Sequence, residues 1–345
     1  MHRLLIIGYL IIYYANVGLI FIEGARIRRV VQGSPVLDIK QTDYLVTRFF
    51  VSIGSGHNCD TPLPDSVKSL IGKPKDYEFA FIKSWIYYPI GRICAPKPHH
   101  LWCTGSLLSP SVVQTACHCL VDYQDTADPS IKYPVKRNVY EVGYTVHPGR
   151  RLVEEILTNE GVYCRNFVIH PKCGKDKDAL LHDYALIVLH SPFERYQTGY
   201  APIYPLANLA KIWLDTMNKA KVCLIIGFGR YKWVAGKPYV DDVERPDVLR
   251  HGWTQALNYN ECYVKLYGFQ LENYTERATF LCTVSLPYRP NQEALKAGKG
   301  DSGGPVTCDN QYVGLVSQGG YGTREDSLYG IEPDVGYDRH ASTAF

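Results

Sequence analysis

Short apolar runs, separated by glycine, proline, asparagine and aspartate, recur along most of the chain. They are rich in valine, isoleucine, tyrosine and phenylalanine, which favour strands. The clearest are residues 79–86, 106–115, 139–146, 185–189, 222–228 and 312–316. Repeated short strands with turns between them predict an all-β fold, as a barrel or a sandwich.

Helical periodicity is scarce, and its best short candidate is Glu261 to Tyr267. Residues 191–220 hold polar and proline-containing positions, which predict a connection between two halves. The N-terminus is different, because Met1-His2-Arg3 precedes a nearly unbroken apolar run without a charge from Leu4 to Ile22. This layout predicts a signal peptide over residues 1–25, and a retained membrane anchor is the alternative.

The composition narrows the class of protein. A chain of 345 residues with 46% hydrophobic content can bury a large core, and its net charge of +3 is too weak to indicate nucleic acid or an anionic membrane as a partner. Its 11 cysteines favour an oxidising compartment, and their spacing lacks the paired CxxC sets of structural zinc sites. In that compartment the sequon at Asn273 is a candidate glycosylation site.

Three stretches carry candidate chemistry. His118 lies in Thr-Ala-Cys-His-Cys, Asp183 leads directly into an apolar strand, and Ser302 lies in Gly-Asp-Ser-Gly-Gly-Pro. Each has a plain alternative: a partly buried histidine, a strand-opening cap and an ordinary turn. Together they offer a hydroxyl, a base to take its proton and a carboxylate to orient that base, which are the parts of nucleophilic catalysis by serine.

In this order the motifs resemble those of the chymotrypsin/trypsin family of serine endopeptidases, namely TAAHC, DIAL and GDSGGP, over roughly Val30 to Tyr329. The resemblance implies two six-stranded antiparallel β-barrels with the active site between them. It implies His118 as the base, Asp183 as its orienter and Ser302 as the nucleophile, with the N–H groups of Gly300 and Ser302 as the oxyanion hole.

The peptidase domain is expected over residues 30–345, with a first barrel at about 30–200 and a second at about 201–345. The resemblance implies no metal or organic cofactor. The partners that it implies are a polypeptide substrate, an activating protease and, as one option, a protein inhibitor.

Arg29-Val30-Val31-Gln32-Gly33 resembles the activation site of family zymogens. Residues 26–29 would then form a short propeptide, and cleavage after Arg29 would free the Val30 ammonium to pair with the Asp301 carboxylate. A basic surface segment is the alternative.

The resemblance also implies disulfides Cys103–Cys119, Cys223–Cys308 and Cys262–Cys282, and it leaves Cys164–Cys173 as a plausible local pair. Cys59, Cys94 and Cys117 stay unassigned, with Cys59–Cys94 as one hypothesis.

The expected specificity pocket departs from the family. Lys296 stands at the pocket floor, where trypsin-like members have an aspartate, so either an acidic P1 residue is preferred or the lysine reaches solvent from a reshaped loop. Gly298 replaces a family cysteine, and Ser317, Gln318 and Gly319 fall on the strand that lines the cleft. Residues 54–77 are the expected insertion, and the tail after Tyr329 lacks the closing apolar helix of the family.

We therefore expect a secreted serine endopeptidase made as a zymogen. The altered pocket leaves a non-catalytic, protein-binding homologue as the alternative. A membrane-tethered protease is a third reading if the N-terminal run is retained.

Overall fold

The computed structural model describes residues 34–35, 45–62, 80–82, 85–88, 92–127, 131–150, 152–156, 161–176, 179–193, 199–229, 248–258, 280–285, 297, 300–321 and 336–342. Several expectations fall outside these residues and stay predictions: the signal and propeptide, Val30, the Asn273 sequon, Cys262, Lys296, Gly298 and the helix at 261–267.

Strands dominate the described part of the chain. The first barrel region contains β2 (Phe50–Pro62), β3 (Ala80–Ile82), β4 (Trp85–Tyr88), β5 (Arg92–Ser109), β6 (Val112–Thr115), β7 (Val121–Asp125), β8 (Ile131–Lys136), β9 (Tyr144–Pro148), β10 (Val162–Ile169), β11 (Gly174–Asp176), β12 (Ala179–Leu181) and β13 (Ala185–Leu189). The second contains β14 (Val222–Gly227), β15 (Arg250–Ala256), β16 (Phe280–Ser285), β17 (Pro305–Cys308), β18 (Gln311–Tyr321) and β19 (Gly336–Ser342), joined by β1 (Ser34–Pro35).

Two rings of antiparallel strands form the core of the fold. In the first ring the order is β2-β9-β10-β13-β6-β5, and β5 pairs back onto β2. In the second the order is β15-β14-β17-β18-β19-β16, and β16 pairs back onto β15. Closure leaves each ring without a free edge. The predicted architecture of two six-stranded barrels is therefore confirmed.

A smaller sheet is attached to the first barrel. Its order is β12-β11-β8-β7, so the strand after His118 and the hairpin before Asp183 belong to the same sheet. Lys175 on β11 lies opposite Lys132 on β8. This sheet joins the two chain segments that carry the predicted base and its orienter.

Helices are few among the described residues: Val139–Val142, Val153–Ile156 and Leu206–Asn218, with 3-10 turns at Leu45–Arg48 and Cys117–Cys119. The longest helix, Leu206–Asn218, packs on the second barrel. The indole N–H of Trp213 in this helix donates to the Val313 carbonyl at 2.6 Å in a buried contact. No helix in the described ranges is long and apolar enough to cross a bilayer.

One prediction needs correction, because residues 139–146 begin as a helical turn before β9. Two elements were not predicted: the helix Leu206–Asn218 within the connection at 191–220, and the strand β19 in the tail. The tail strand had no clear apolar run, and it forms because β16 and β18 flank it and supply its backbone partners.

The cores of the two barrels meet. One buried cluster combines Phe49, Phe50 and Ile187 of the first half with Leu224 and Tyr312 of the second. The Tyr312 hydroxyl donates to Ser106 Oγ at 3.0 Å or Gln114 Oε1 at 2.8 Å, both in the first barrel. The contact between barrels is thus apolar with a buried polar centre.

Candidate active site

His118 is the middle residue of the turn Cys117–Cys119, which joins β6 to β7. Both of its neighbours are half-cystines: Cys119 is bonded to Cys103, and Cys117 to Cys173. The flanking cysteines are fully buried, whereas the imidazole is 23% exposed. The ring therefore lies at the barrel surface on a backbone that is anchored on both sides.

Asp183 lies two residues before the start of β13 and has a fully buried side chain. Its Oδ1 accepts the backbone N–H of His118 at 2.8 Å, and its Oδ2 lies 2.7 Å from His118 Nδ1. A carboxylate that accepts several hydrogen bonds can stay ionised when buried. With Nδ1 donating to this carboxylate, the Nε2 atom of His118 is the ring's acceptor.

A third donor to Asp183 comes from the other barrel. The hydroxyl of Ser317, which lies on β18 and is 3% exposed, donates to Asp183 Oδ2 at 2.5 Å. The Ser317 side chain contacts the buried carboxylate, and its expected place along the substrate cleft stays a prediction. Nothing in the local sequence indicates this contact, since 134 residues separate the two positions.

The loop that carries Ser302 depends on glycine. Gly300 and Gly303 have φ angles of +113° and +82°, in the region that glycine tolerates best. A Cβ on Gly303 would also collide with the Thr115 hydroxyl and the Thr104 carbonyl. The absence of a side chain at Gly303 therefore permits this loop to approach the first barrel closely, at Thr115, three residues before His118.

Thr104 on β5 holds the loop in place. Its N–H donates to the Ser302 carbonyl at 2.8 Å, and its hydroxyl donates to the Asp301 carbonyl at 2.9 Å. The Ser302 carbonyl oxygen also lies 3.8 Å from the sulfur of Cys119, the residue after His118. The structure thus brings the backbone of Ser302 beside the turn that carries the imidazole.

The Asp301 side chain faces the second barrel. Its Oδ1 accepts the N–H of Gly229 at 2.6 Å, and a Cβ on either Gly227 or Gly229 would overlap the carboxylate. The two glycines make a close-fitting niche for this side chain against β14 and the residues that follow it.

Tyr123 on β7 lies close enough to Asp183 to be affected by its charge. Its hydroxyl is 3.7 Å from the sulfur of Cys173. Burial raises the pKa of Tyr123, and the negative charge of Asp183 raises it further. The phenol therefore stays neutral and adds no second negative charge beside the carboxylate.

The sequence model of the family described as Trypsin matches residues 92–337, well over half of the chain. The chain belongs to the trypsin family. Trypsin-family proteins are serine endopeptidases, so the chain is a serine-type hydrolase of peptide bonds in polypeptides.

Among similar proteins, a trypsin from Sarcophaga bullata is 26% identical over 63% of this chain and 68% of its own. A snake venom serine protease from Trimeresurus stejnegeri is 27% identical over 63% and 67%, and trypsin epsilon from Drosophila erecta is 24% identical over 68% and 74%. A solved structure of neuropsin, a serine protease of mouse brain, aligns over 70% of this chain and 84% of its own, with 18% identity and a TM-score of 0.47.

Two of the disulfides expected from the trypsin family are formed, Cys103–Cys119 and Cys223–Cys308. Cys282 is also disulfide-bonded, and its expected partner lies outside the described residues. The cysteines at 59 and 94 lie on paired strands, with Asn58 opposite Ala95, and their bond stays a prediction.

The predicted pair Cys164–Cys173 is wrong. Cys173 bonds to Cys117, and Cys164 is a free, buried thiol. Cys164 lies on β10 in register with Leu189, within the barrel wall, whereas Cys173 follows the strand's end and faces the turn of His118. Closeness in sequence did not predict the disulfide, because Cys164 lies near the start of β10 and Cys173 lies beyond its end.

Sulfur and imidazole atoms also cluster beside this site. Within the described ranges the donor atoms of Cys103, His118 and Cys119 lie within 4.8 Å of one another. The two sulfurs are bonded to each other, so they offer no thiolate to a metal ion. The cluster is a disulfide packed against an imidazole, as the trypsin-family motif implies.

Proposed function

We propose that this protein is a secreted serine endopeptidase that uses Ser302 as nucleophile, His118 as general base and Asp183 as its orienter, and that it is made as a zymogen. The observation that carries this proposal is the bond between His118 Nδ1 and Asp183 Oδ2, 2.7 Å long, beside the anchored backbone of Ser302.

In the proposed reaction, Nε2 of His118 takes the proton of the Ser302 hydroxyl as its oxygen bonds to the substrate carbonyl carbon. The imidazolium then gives that proton to the departing amine, and the peptide C–N bond breaks to leave an acyl-enzyme. Water, deprotonated by the same imidazole, releases the acid. Asp183 keeps the ring oriented and offsets its positive charge.

The tetrahedral intermediate carries a negative oxygen, which needs donors. The N–H groups of Gly300 and Ser302 belong to the glycine loop, and neither donates to an acceptor among the residues that the structure describes. We assign them the oxyanion hole, a contribution worth about 3–4 kcal/mol per donor in other serine proteases.

Activation after Arg29 is supported by strand pairing. Pro35 pairs with Arg250, Arg250 pairs with Gly227, and Asp301 packs on Gly227. Two strand spacings amount to about 10 Å, and five extended residues from Pro35 back to Val30 span about 16 Å. A freed Val30 ammonium can therefore reach the Asp301 carboxylate, and cleavage there calls for a protease that cuts after a basic residue.

Three bonded cysteine pairs in the described residues support an oxidising compartment, and one relative is named as a venom protein. We infer secretion after signal cleavage. N-terminal sequencing of the secreted protein should find a chain that begins at or after Ala25, whereas a retained N-terminus would favour a tethered protease. Glycosidase treatment should shift the mass of the secreted form if Asn273 is modified.

The decisive experiment uses a fluorophosphonate, which labels an activated serine. After cleavage at Arg29, the label should be found on the peptide that contains Ser302. The Ser302→Ala and His118→Ala variants should stay unlabelled while melting at nearly the wild-type temperature. Folded, cleaved wild-type protein that resists the probe would overturn the proposal and favour the non-catalytic, protein-binding homologue.

Substrate choice depends on Lys296, Gln318 and Gly319. A cleavage profile from a peptide library, comparing acidic with basic P1 residues, decides between an electrostatic role for Lys296 and a solvent-facing lysine. Loss of an acidic preference in Lys296→Gln would assign that preference to the ammonium. Binding of a protein inhibitor can be scored by protection of Ser302 from the same probe.

A further inference from the structure

His118 is flanked on both sides by half-cystines, and the two bonds lead in different directions. Cys119 is tied to Cys103 on β5, within the barrel wall. Cys117 is tied to Cys173, which lies between β10 and β11. The family motif has alanine where this chain has Cys117, so the second link is a feature of this chain that the family motif does not require.

Cys173 is itself connected to the segment that carries Asp183. The Cys173 N–H donates to the His170 carbonyl at 2.9 Å, and the His170 N–H donates to the Tyr184 carbonyl at 3.0 Å. Tyr184 directly follows Asp183. The disulfide therefore joins the residue before the imidazole to a short hydrogen-bonded path that ends beside the carboxylate.

The four-stranded sheet of β7, β8, β11 and β12 also connects the segments that carry His118 and Asp183. Its strand β7 leaves the turn of His118, and its hairpin of β11 and β12 leads into Asp183. Movement of this sheet would act on both residues at once. The sulfurs of Cys117 and Cys173 bridge the root of the sheet, and the two residues are 0% and 4% exposed.

We propose that the Cys117–Cys173 disulfide is a positioning element for the reaction, holding the His118 imidazole in register with the Asp183 carboxylate. This inference rests on the proposed function, in which His118 is the base and Asp183 its orienter. The bonds to Asp183, at 2.7 Å from Nδ1 and 2.8 Å from the backbone N–H, need both the ring and the backbone of His118 in place. The disulfide anchors that backbone on the side that Cys103 does not reach.

The test compares the double variant Cys117→Ala/Cys173→Ala with wild-type protein, both cleaved after Arg29. A peptidyl phosphonate chosen from the cleavage profile gives the inactivation rate constant and the inhibition constant separately. We expect the rate constant to fall about ten- to a hundredfold, the range that small misplacements of catalytic groups produce. The inhibition constant should change less than threefold, since a residue that acts only in the chemical step alters the rate constant and not the binding of the ground state.

Two controls separate positioning from loss of stability. Cys164→Ala removes a buried thiol of the same barrel without breaking a bond, and Cys223→Ala/Cys308→Ala removes a disulfide of the second barrel. Both should keep the wild-type rate constant at temperatures where they are folded. Proton NMR adds a direct signature, because the strongly deshielded Nδ1 proton of a carboxylate-bound imidazole should broaden or disappear only in Cys117→Ala/Cys173→Ala.

An unchanged rate constant, or a loss matched by the Cys223/Cys308 variant, would overturn this proposal while labelled wild-type protein upholds the proposed function. Unlabelled wild-type protein would instead remove the proposed function itself. If the alanine pair does not fold, Cys117→Ala/Cys173→Val refills the volume of the sulfurs for the same test, and failure of both to fold would mean a purely structural bond and refute positioning.

Discussion

The hydroxyl of Ser317 donates to the buried carboxylate of Asp183 at 2.5 Å, and the two residues belong to different barrels. This bond ties the orienter of the proposed base to β18, the second strand after the Ser302 loop. It means that the two barrels must be docked before Asp183 has all of its donors. The hydrogen bonds of Asp183 are therefore complete only in the assembled two-barrel fold.

The Ser317→Ala variant should lose about 1–3 kcal/mol of unfolding free energy, because a buried carboxylate loses a donor. Labelling of Ser302 should slow roughly tenfold, which corresponds to about 1.4 kcal/mol in the barrier. Ser317→Thr keeps a hydroxyl and is the matched control. Equal effects of the two substitutions would indicate that the packing of the side chain, and not its hydrogen bond, matters.

The Gly303→Ala variant should be unstable by about 2–5 kcal/mol, since it combines an unfavourable left-handed backbone with collision against Thr115 and Thr104. Urea unfolding measures the loss. Gly174→Ala is the control, because a Cβ there would only make an ordinary contact, 3.4 Å from the Lys132 carbonyl. Comparable losses in the two variants would contradict the close-approach argument.

The Asp301→Asn variant tests activation. Asparagine can still accept the N–H of Gly229 but cannot form an ion pair with a freed Val30 ammonium. After cleavage at Arg29, the variant should stay folded and label at the slow rate of the uncleaved protein. Asp309→Asn, which removes an exposed carboxylate 3.4 Å from the Lys221 ammonium, should activate normally. Full activation of Asp301→Asn would remove the ion pair from the proposed mechanism.

His147 should make the protein sensitive to acid. It is fully buried, its Nε2 lies 2.9 Å from the Thr145 hydroxyl, and burial lowers the pKa of His147 from 6.5 to about 3. Because the folded pKa lies below the unfolded one, the stability that neutral His147 contributes is complete above pH 6.5 and is lost as the pH falls toward 3. The loss amounts to roughly 3–5 kcal/mol at the most acid end.

Urea unfolding at pH 7 and pH 4 measures this effect. His147→Gln cannot be protonated and should flatten the dependence strongly. His190→Gln should flatten it less, since burial and the charge of Arg165 lower the pKa of His190 at a position that is only half-buried. An unchanged slope in His147→Gln would assign the acid sensitivity to other groups.

Cys164 should be unreactive in the folded protein. With 11 cysteines, at least one cannot pair within a single chain, and Cys164 is a free, buried thiol whose pKa is raised by burial. A disulfide-exchange reagent such as DTNB should react with it only after unfolding. Cys164→Ala should remove that added equivalent of thiol. Rapid reaction under native conditions would contradict its burial.

Much of the fold was predictable from the sequence, because many apolar runs coincide with strands of the structure. The run at 185–189 alternates in burial along one barrel wall and coincides with β13, and the run at 222–228 coincides closely with β14. Where the local pattern and the structure disagree, contacts with residues far away in the chain determine the secondary structure. The helix Leu206–Asn218 packs its Trp213 on the second barrel, and β19 forms between two strands that are distant along the chain.

By itself, the sequence determined the kinds of group at the site: a glycine loop around Ser302, a histidine in a turn and an aspartate before an apolar strand. These follow from residue type and immediate neighbours, since a tight turn needs glycine and a strand needs apolar residues. Only the tertiary structure decided that Cys117 bonds to Cys173 and that Ser317 serves Asp183. Such contacts depend on which surfaces barrel closure brings together, and no local pattern encodes the distance between residues that are far apart in the chain.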